Sequence, residues 1–254
     1  MTDNERFSEI ISQNLPELHK REGIGTYGEK SVHFALKLFF SEDEECREVP
    51  VGKYIADIKI GSEIYEIQSS GFGALRQKLE EYLLCEEISR VRVVYPVIEN
   101  KRVIKISPET GEITKEYASP RHVRTAEIFK ELLFAGDGIY SEKVSFVLVS
   151  LAVDEISYDI GDRRKRRGES LKIDKIPREL ISISEYRSVY DMGELLCFSD
   201  GEIITASQIH KYLRAPGRKG WAAVRVLEQI GYITRCGKEG NKILYRFRKR
   251  PAEE

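Results

Sequence analysis

Residues 54–68 constrain the fold more than any other stretch, because two runs of alternating apolar and polar residues flank the pair Gly61-Ser62. Glycine at the first central position of a two-residue turn tolerates the positive φ that a type II′ hairpin demands. The strands then pair so that opposing residue numbers sum to 123: Ile60 meets Glu63, Lys59 meets Ile64, Ile58 meets Tyr65 and Asp57 meets Glu66. Strand alternation sends Ala56, Ile58, Ile60, Tyr65 and Ile67 to one face. It sends Asp57, Lys59, Ile64, Glu66 and Gln68 to the other, so one face is core and the other gathers polar groups.

Two carboxylates directly opposite on paired strands have Cβ atoms roughly 4.5–5.5 Å apart and repel each other unless a cation lies between them. A magnesium or manganese ion, with its oxygen ligands, would turn that repulsion into coordination and would activate water against a phosphodiester. The alternative is two acidic side chains relaxing into solvent, or Lys59 neutralising the pair.

Around this hairpin the periodicity predicts an α/β chain. Helices are expected over residues 30–40, 74–87 and 119–134, the last with Ser119 as N-cap and Pro120 at its first position. Strands are expected over 46–51, 54–60, 64–69, 91–97 and 144–158, with a further hairpin of 102–107 and 112–117 around the turn 108–111. Residues 177–196 read as mixed helical material.

Charged residues make up 33% of the 254, with 41 Lys+Arg against 42 Asp+Glu, so wholesale disorder is excluded but the surface is densely charged. The near balance hides an asymmetry. Residues 1–48 carry 11 acidic against 6 basic side chains, whereas residues 201–254 carry 12 basic against 5 acidic. Between them stand five consecutive cations, Arg163, Arg164, Lys165, Arg166 and Arg167, a block that stays solvated and commonly meets a polyanion. The four cysteines lie at least 39 residues apart and no histidine pair has metal-ligand spacing, so any metal should be a hard one held by oxygens. The longest apolar run, residues 144–153, is ten long and contains Ser145 and Ser150, too short for a bilayer span. The first residues lack the basic and apolar regions of a signal peptide, so a cytoplasmic location without membrane attachment is expected. No Walker-type loop and no recognisable Ser/His or Cys/His nucleophile occurs.

Glu29 at the start of the first expected helix, Asp57, and Glu66-Ile67-Gln68, followed by an amphipathic helix and a strand, resemble the PD-(D/E)XK nuclease superfamily. The resemblance covers about residues 25–97. It implies a restriction-endonuclease-like mixed sheet flanked by helices. Asp57 and Glu66 would hold the metal with the backbone carbonyl of Ile67 as a further ligand, and Glu29 would complete the outer sphere or hold a second ion. Ala56 replaces the usual proline before Asp57, a harmless variation. Gln68 stands where lysine is usual; an amide there can orient the attacking water but supplies no charge, although the superfamily includes nucleases with glutamine in this place. Arg76 and Lys78 on the next helix could return the displaced cation, or could be ordinary helix surface charges.

Residues 205–247 resemble a winged helix-turn-helix: two short helices around a Pro/Gly turn, then a hairpin with a charged tip. That resemblance implies a second helix entering the major groove of duplex DNA, with Arg218, Lys219 and Arg225 near it and Lys238 and Lys242 tracking phosphates. Trp221, Val224, Leu227 and Ile230 read as the helix's apolar face, with Trp221 in the core. The division expected is a nuclease-like domain over 1–160, a basic linker and connecting helix over 161–195, and the winged helix over 196–254. The function expected is a magnesium-dependent DNA endonuclease in which Glu29, Asp57, Glu66 and Gln68 do the chemistry. The rival is a non-catalytic DNA-binding regulator with a degenerate nuclease domain. Cutting both strands asks for two active sites, which a homodimer would supply.

Overall fold

The computed structural model describes residues 1–20, 31–120, 122–159 and 172–249. The chain is α/β, with a large mixed sheet flanked by helices and a separate three-stranded sheet. The hydrogen-bonded order of the large sheet follows from strands β1 (Arg47–Val51), β2 (Tyr54–Ile60), β3 (Glu63–Ile67), β4 (Arg90–Ile106), β5 (Ile113–Ala118), β6 (Val144–Tyr158) and β7 (Lys172–Tyr186). It runs β1-β2-β3-β4-β6-β7, with β5 paired to β4 as a side hairpin. β2 and β3 are antiparallel, while β3 and β4 are parallel, joined through helix α3 (Gly73–Leu84), as a crossover between parallel strands requires.

Two compact units divide the chain. One comprises residues 1–47, 96–123 and 149–183, the other residues 48–95, 124–148 and 184–254. In the first, helix α1 (Asp3–Lys20) packs on helix α2 (Ser31–Phe40), with Phe7 and Phe39 meeting edge to face at 5.6 Å. Helix α1 is not among the elements expected from the sequence. Its signal is local all the same: Thr2 and Glu5 exchange side-chain-to-backbone bonds at 3.3 and 2.7 Å, a reciprocal capping box, ahead of buried Phe7, Ile10 and Ile11. The second unit has its core around Ile58, Ile64, Leu75, Leu79, Phe129 and Phe146, all buried.

Two expectations fail. Residues 119–134 are not one helix: Ser119 donates its N–H to Lys101 O at 2.7 Å, which prolongs the β4–β5 pairing instead of capping a helix. Helix α4 (Phe129–Leu132) is a single turn between 3₁₀ segments, and Gly136, at φ +74°, ends the run. Nor are residues 177–196 helical at their start. They open inside β7, which closes one end of the strand order, and a strand at a sheet edge is where a proline such as Pro177 is tolerated.

After 3₁₀ turns over Val189–Leu195, the chain forms β8 (Ile203–Thr205), α5 (Ala206–Tyr212), α6 (Arg218–Gln229), β9 (Ile233–Glu239) and β10 (Lys242–Phe247). The three strands pair in the order β8-β10-β9. Thr205 caps α5 in a box with Gln208, and α6 buries Gly220, Ala222, Ala223, Val224, Val226 and Leu227. Among the described residues no helix is long and apolar enough to cross a membrane.

Candidate functional site

The β2–β3 hairpin adopts the register read from its turn: Ile58 opposes Tyr65, Lys59 opposes Ile64 and Ile60 opposes Glu63. Gly61 carries the positive φ, +58°. Beyond the Ile58–Tyr65 pair Asp57 Oδ2 accepts the Ile67 N–H at 2.8 Å, and the Asp57 carboxylate lies near enough to Glu66 to act on its charge. Asp57, Glu66 and Ile67 therefore come together as expected.

The polar face is not open around Glu66, which is only 1% exposed. Helix α3 supplies its partners from positions one turn apart. Lys78 Nζ donates to Glu66 Oε2 at 2.8 Å and to the Ile55 carbonyl at 2.8 Å, while the Tyr82 hydroxyl donates to Glu66 Oε1 at 2.9 Å. Burial, and next the Asp57 carboxylate, push the Glu66 carboxyl above its usual range, with Lys78 and Tyr82 pulling the other way. Burial and the same two carboxylates push the Tyr82 phenol up, so Tyr82 stays a neutral donor. Among the described residues the cation on Glu66 is Lys78, from α3, and not Lys59 of the hairpin. Arg76 instead pairs with Glu80 at 2.9 Å on the exposed side of α3.

Gln68 does not join this cluster through its amide nitrogen. Its backbone N–H extends the β3–β4 pairing to Val94 O at 2.8 Å, and its side-chain NH₂ donates to the carbonyls of Ser70 and Gly71. A side chain committed to its own turn cannot place that nitrogen over the acidic pair. Glu29 and the run Arg163, Arg164, Lys165, Arg166 and Arg167 lie outside the described residues. Among the described residues no group of three or more His, Cys, Asp or Glu side chains is arranged to hold a metal. The candidate donor set is the pair Asp57 and Glu66. It fits a divalent cation in one respect: the Asp57 carboxylate raises the cost of ionising Glu66, a cost that a shared cation removes.

The C-terminal cations divide. The Arg218 guanidinium lies over the Phe134 ring, 5.3 Å from its centroid, and Lys219 pairs with Glu131. Both belong to the packing of α6 on α4 and its neighbours, so they are partly engaged within the chain. Arg225, Lys238 and Lys242 are exposed, the last two near the tip of the β9–β10 hairpin. Val224, Leu227 and Ile230 are buried as expected, but Trp221 is not: it is 54% exposed. Helix α6 fills its interior with smaller side chains, and the indole is left at its rim.

A second concavity, about 440 Å³, is bordered by Asn100, Lys101, Arg102, Tyr117, His122 and Arg178. Its cations are answered from within: Arg102 by Asp154 at 2.8 and 2.5 Å and by Glu116 at 2.9 Å, and Lys101 by Glu155 at 3.0 Å. A balanced network of this kind stiffens the strands and offers little surplus charge to a ligand.

Residues 30–187, more than half of the chain, match the family described as Domain of unknown function (DUF8091). The chain belongs to that family. The match contains Asp57, Glu66, Lys78 and Tyr82 and stops before α5 and α6. No curated protein and no solved structure matches the chain.

Proposed function

We propose that this member of the DUF8091 family is a divalent-metal-dependent DNA endonuclease. Its nuclease-like domain would carry Asp57 and Glu66, and its C-terminal helices and hairpin would act as a winged helix-turn-helix. The observation that carries the reading is the buried Glu66, held across a hairpin from Asp57 with the Lys78 ammonium on its oxygen. A magnesium or manganese ion bound by the two carboxylates would supply Lewis-acid activation of a phosphodiester and of water. The chain's own residues do the rest. Lys78 brings from α3 the positive charge that Gln68 lacks, and a charge fixed near a developing phosphorane stabilises it. Tyr82 holds Glu66 in its rotamer from the buried side. The exposed Arg225, Lys238 and Lys242, with the basic run at 163–167, would meet the phosphate backbone.

Incubation of supercoiled plasmid with Mg²⁺ or Mn²⁺ tests this directly. Nicking or linearisation is expected from the native chain and none from Asp57→Ala or Glu66→Ala, with DNA affinity retained in both. Cleavage that persists in both variants would remove the assignment.

A second reading, a DNA-binding regulator without catalysis, is favoured by one observation: both Glu66 oxygens already have partners, Lys78 and Tyr82, and the Gln68 NH₂ is turned into its own loop. Salt-dependent DNA binding with no nicking in either metal would select it.

A further inference from the structure

Trp221 is the chain's only tryptophan, and it lies on the solvent side of α6 while that helix buries Ala222, Ala223, Val226 and Leu227 beneath it. The helix thus meets its packing requirement without the indole. The ring is nonetheless fixed in place, because His210 of α5 stands against it at 5.1 Å with the two planes at 87°. An exposed aromatic plane held on one side by a perpendicular ring is a rigid surface and not a loose side chain.

Two cations flank it. Arg218 and Arg225 stand three residues before and four after Trp221, so the three share one helical face. Both arginines are exposed, and neither is in an ion pair with a carboxylate among the described residues. Arg218 is positioned by the Phe134 ring, which leaves its charge unneutralised.

We propose that Trp221 is a stacking platform for an unpaired nucleobase, with Arg218 and Arg225 taking the phosphates on either side. The preferred substrate would then contain single-stranded nucleic acid and not only intact duplex. This deepens the proposed nuclease reading and rests on its premise that the chain binds nucleic acid. The charge pattern selects the occupant. A second copy offering the same face would oppose arginine to arginine, and a purely apolar peptide would leave both guanidiniums unanswered. A nucleotide strand alternates a π-face with an anion, and base-on-aromatic stacking is tolerant of sequence. Residues 201–254, with 12 basic against 5 acidic side chains, add a field of the right sign.

With one indole in the chain, its emission reports on this position alone. The full-length protein, in EDTA to prevent cleavage, is titrated with a single-stranded oligodeoxynucleotide, with its blunt duplex and with heparin. Binding is followed separately by the anisotropy of labelled DNA or by competition against it. The single strand should quench the emission strongly, the duplex less, and heparin not at all although it binds. Trp221→Ala should bind the single strand about 10- to 100-fold more weakly, the range expected for one stacked base, and Trp221→Phe should stay within about threefold. An unaltered melting temperature in Trp221→Ala separates loss of stacking from loss of folding. Binding of the single strand with unchanged emission, or with undiminished affinity in Trp221→Ala, overturns the platform and leaves the nucleic-acid reading standing. An emission change with protein concentration alone assigns the face to self-association and also overturns it. Failure to bind any nucleic acid removes both the platform and the proposed function.

Discussion

A carboxylate 1% exposed beside a second carboxylate needs its charge answered by its surroundings, and Glu66 finds Lys78 on one oxygen and Tyr82 on the other. Removing one partner of a buried pair strands the other, at a cost of several kcal/mol when both are fully buried. Lys78 is 26% exposed and Glu66 can escape by taking up a proton, so Lys78→Met should destabilise by the smaller amount of about 2 kcal/mol near neutral pH. The pH dependence has a definite sign. The folded-state pKa of Glu66 is already raised above 4.5, so its contribution is fully present below about that pH and is lost as pH rises through the folded value. Loss of the Lys78 charge raises that value further. The deficit of Lys78→Met, measured by urea unfolding, should therefore grow from about pH 5 to pH 8, and a constant deficit would mean that Lys78 acts only through packing. Tyr82→Phe should cost about 1.5–3 kcal/mol, the worth of a hydrogen bond to a charged group.

At the scale of elements, α5 and α6 meet where Gly220 has no side chain. A Cβ there would fall 2.1 Å from Ala215 O and 2.6 Å from the His210 ring, so the helices must separate to admit it. Gly220→Ala is expected to destabilise by about 1–3 kcal/mol, the usual range for forced overpacking, read as a lower melting temperature. The same contact partly buries His210. Burial lowers its pKa below 6.5, partly offset by a hydrogen bond with the Gly220 backbone. A base with a depressed folded pKa contributes stability that is whole above about 6.5 and is lost as pH falls through the folded value. Acidification should therefore loosen the α5–α6 pair, and Trp221 emission, set by its neighbour His210, should shift in the same window. In His210→Leu that shift should vanish.

For the whole molecule, a net charge of −1 conceals separate territories of opposite sign, and binding should follow the territories. If the chain neutralises phosphates, the logarithm of its DNA affinity falls linearly with that of salt concentration. Replacing Arg163, Arg164, Lys165, Arg166 and Arg167 by serine should then lower that slope by up to about 4. On the proposed function, a metal bound between Asp57 and Glu66 would stabilise the folded chain by mass action, about 2.7 kcal/mol at a hundredfold excess over its dissociation constant. Mg²⁺ or Mn²⁺ should raise the melting temperature of the native chain and leave Glu66→Gln unmoved. This readout does not depend on cleavage.

The sequence alone determined the β2–β3 register, because a glycine in a two-residue turn and a period of two leave a single pairing that keeps Ala56 and Ile58 inside. It also placed α2, α3, β6 and the succession α5-α6-β9-β10, whose signals lie within a few residues of each other. Tertiary structure decided which side chains turn inward. Lys78 reads as surface until α3 is laid over Glu66, although its spacing from Leu75 and Tyr82 put it on the covered side. Residues 177–196 read as mixed helical material until β7 is seen to run through their start at one end of the sheet, and Trp221 reads as core until smaller residues of α6 have filled the space. Asp174, which accepts the N–H of Ser31 at the first residue of α2, stands 143 positions away. Periodicity and turns are set by neighbours along the chain, whereas burial and charge pairing are set by neighbours in space.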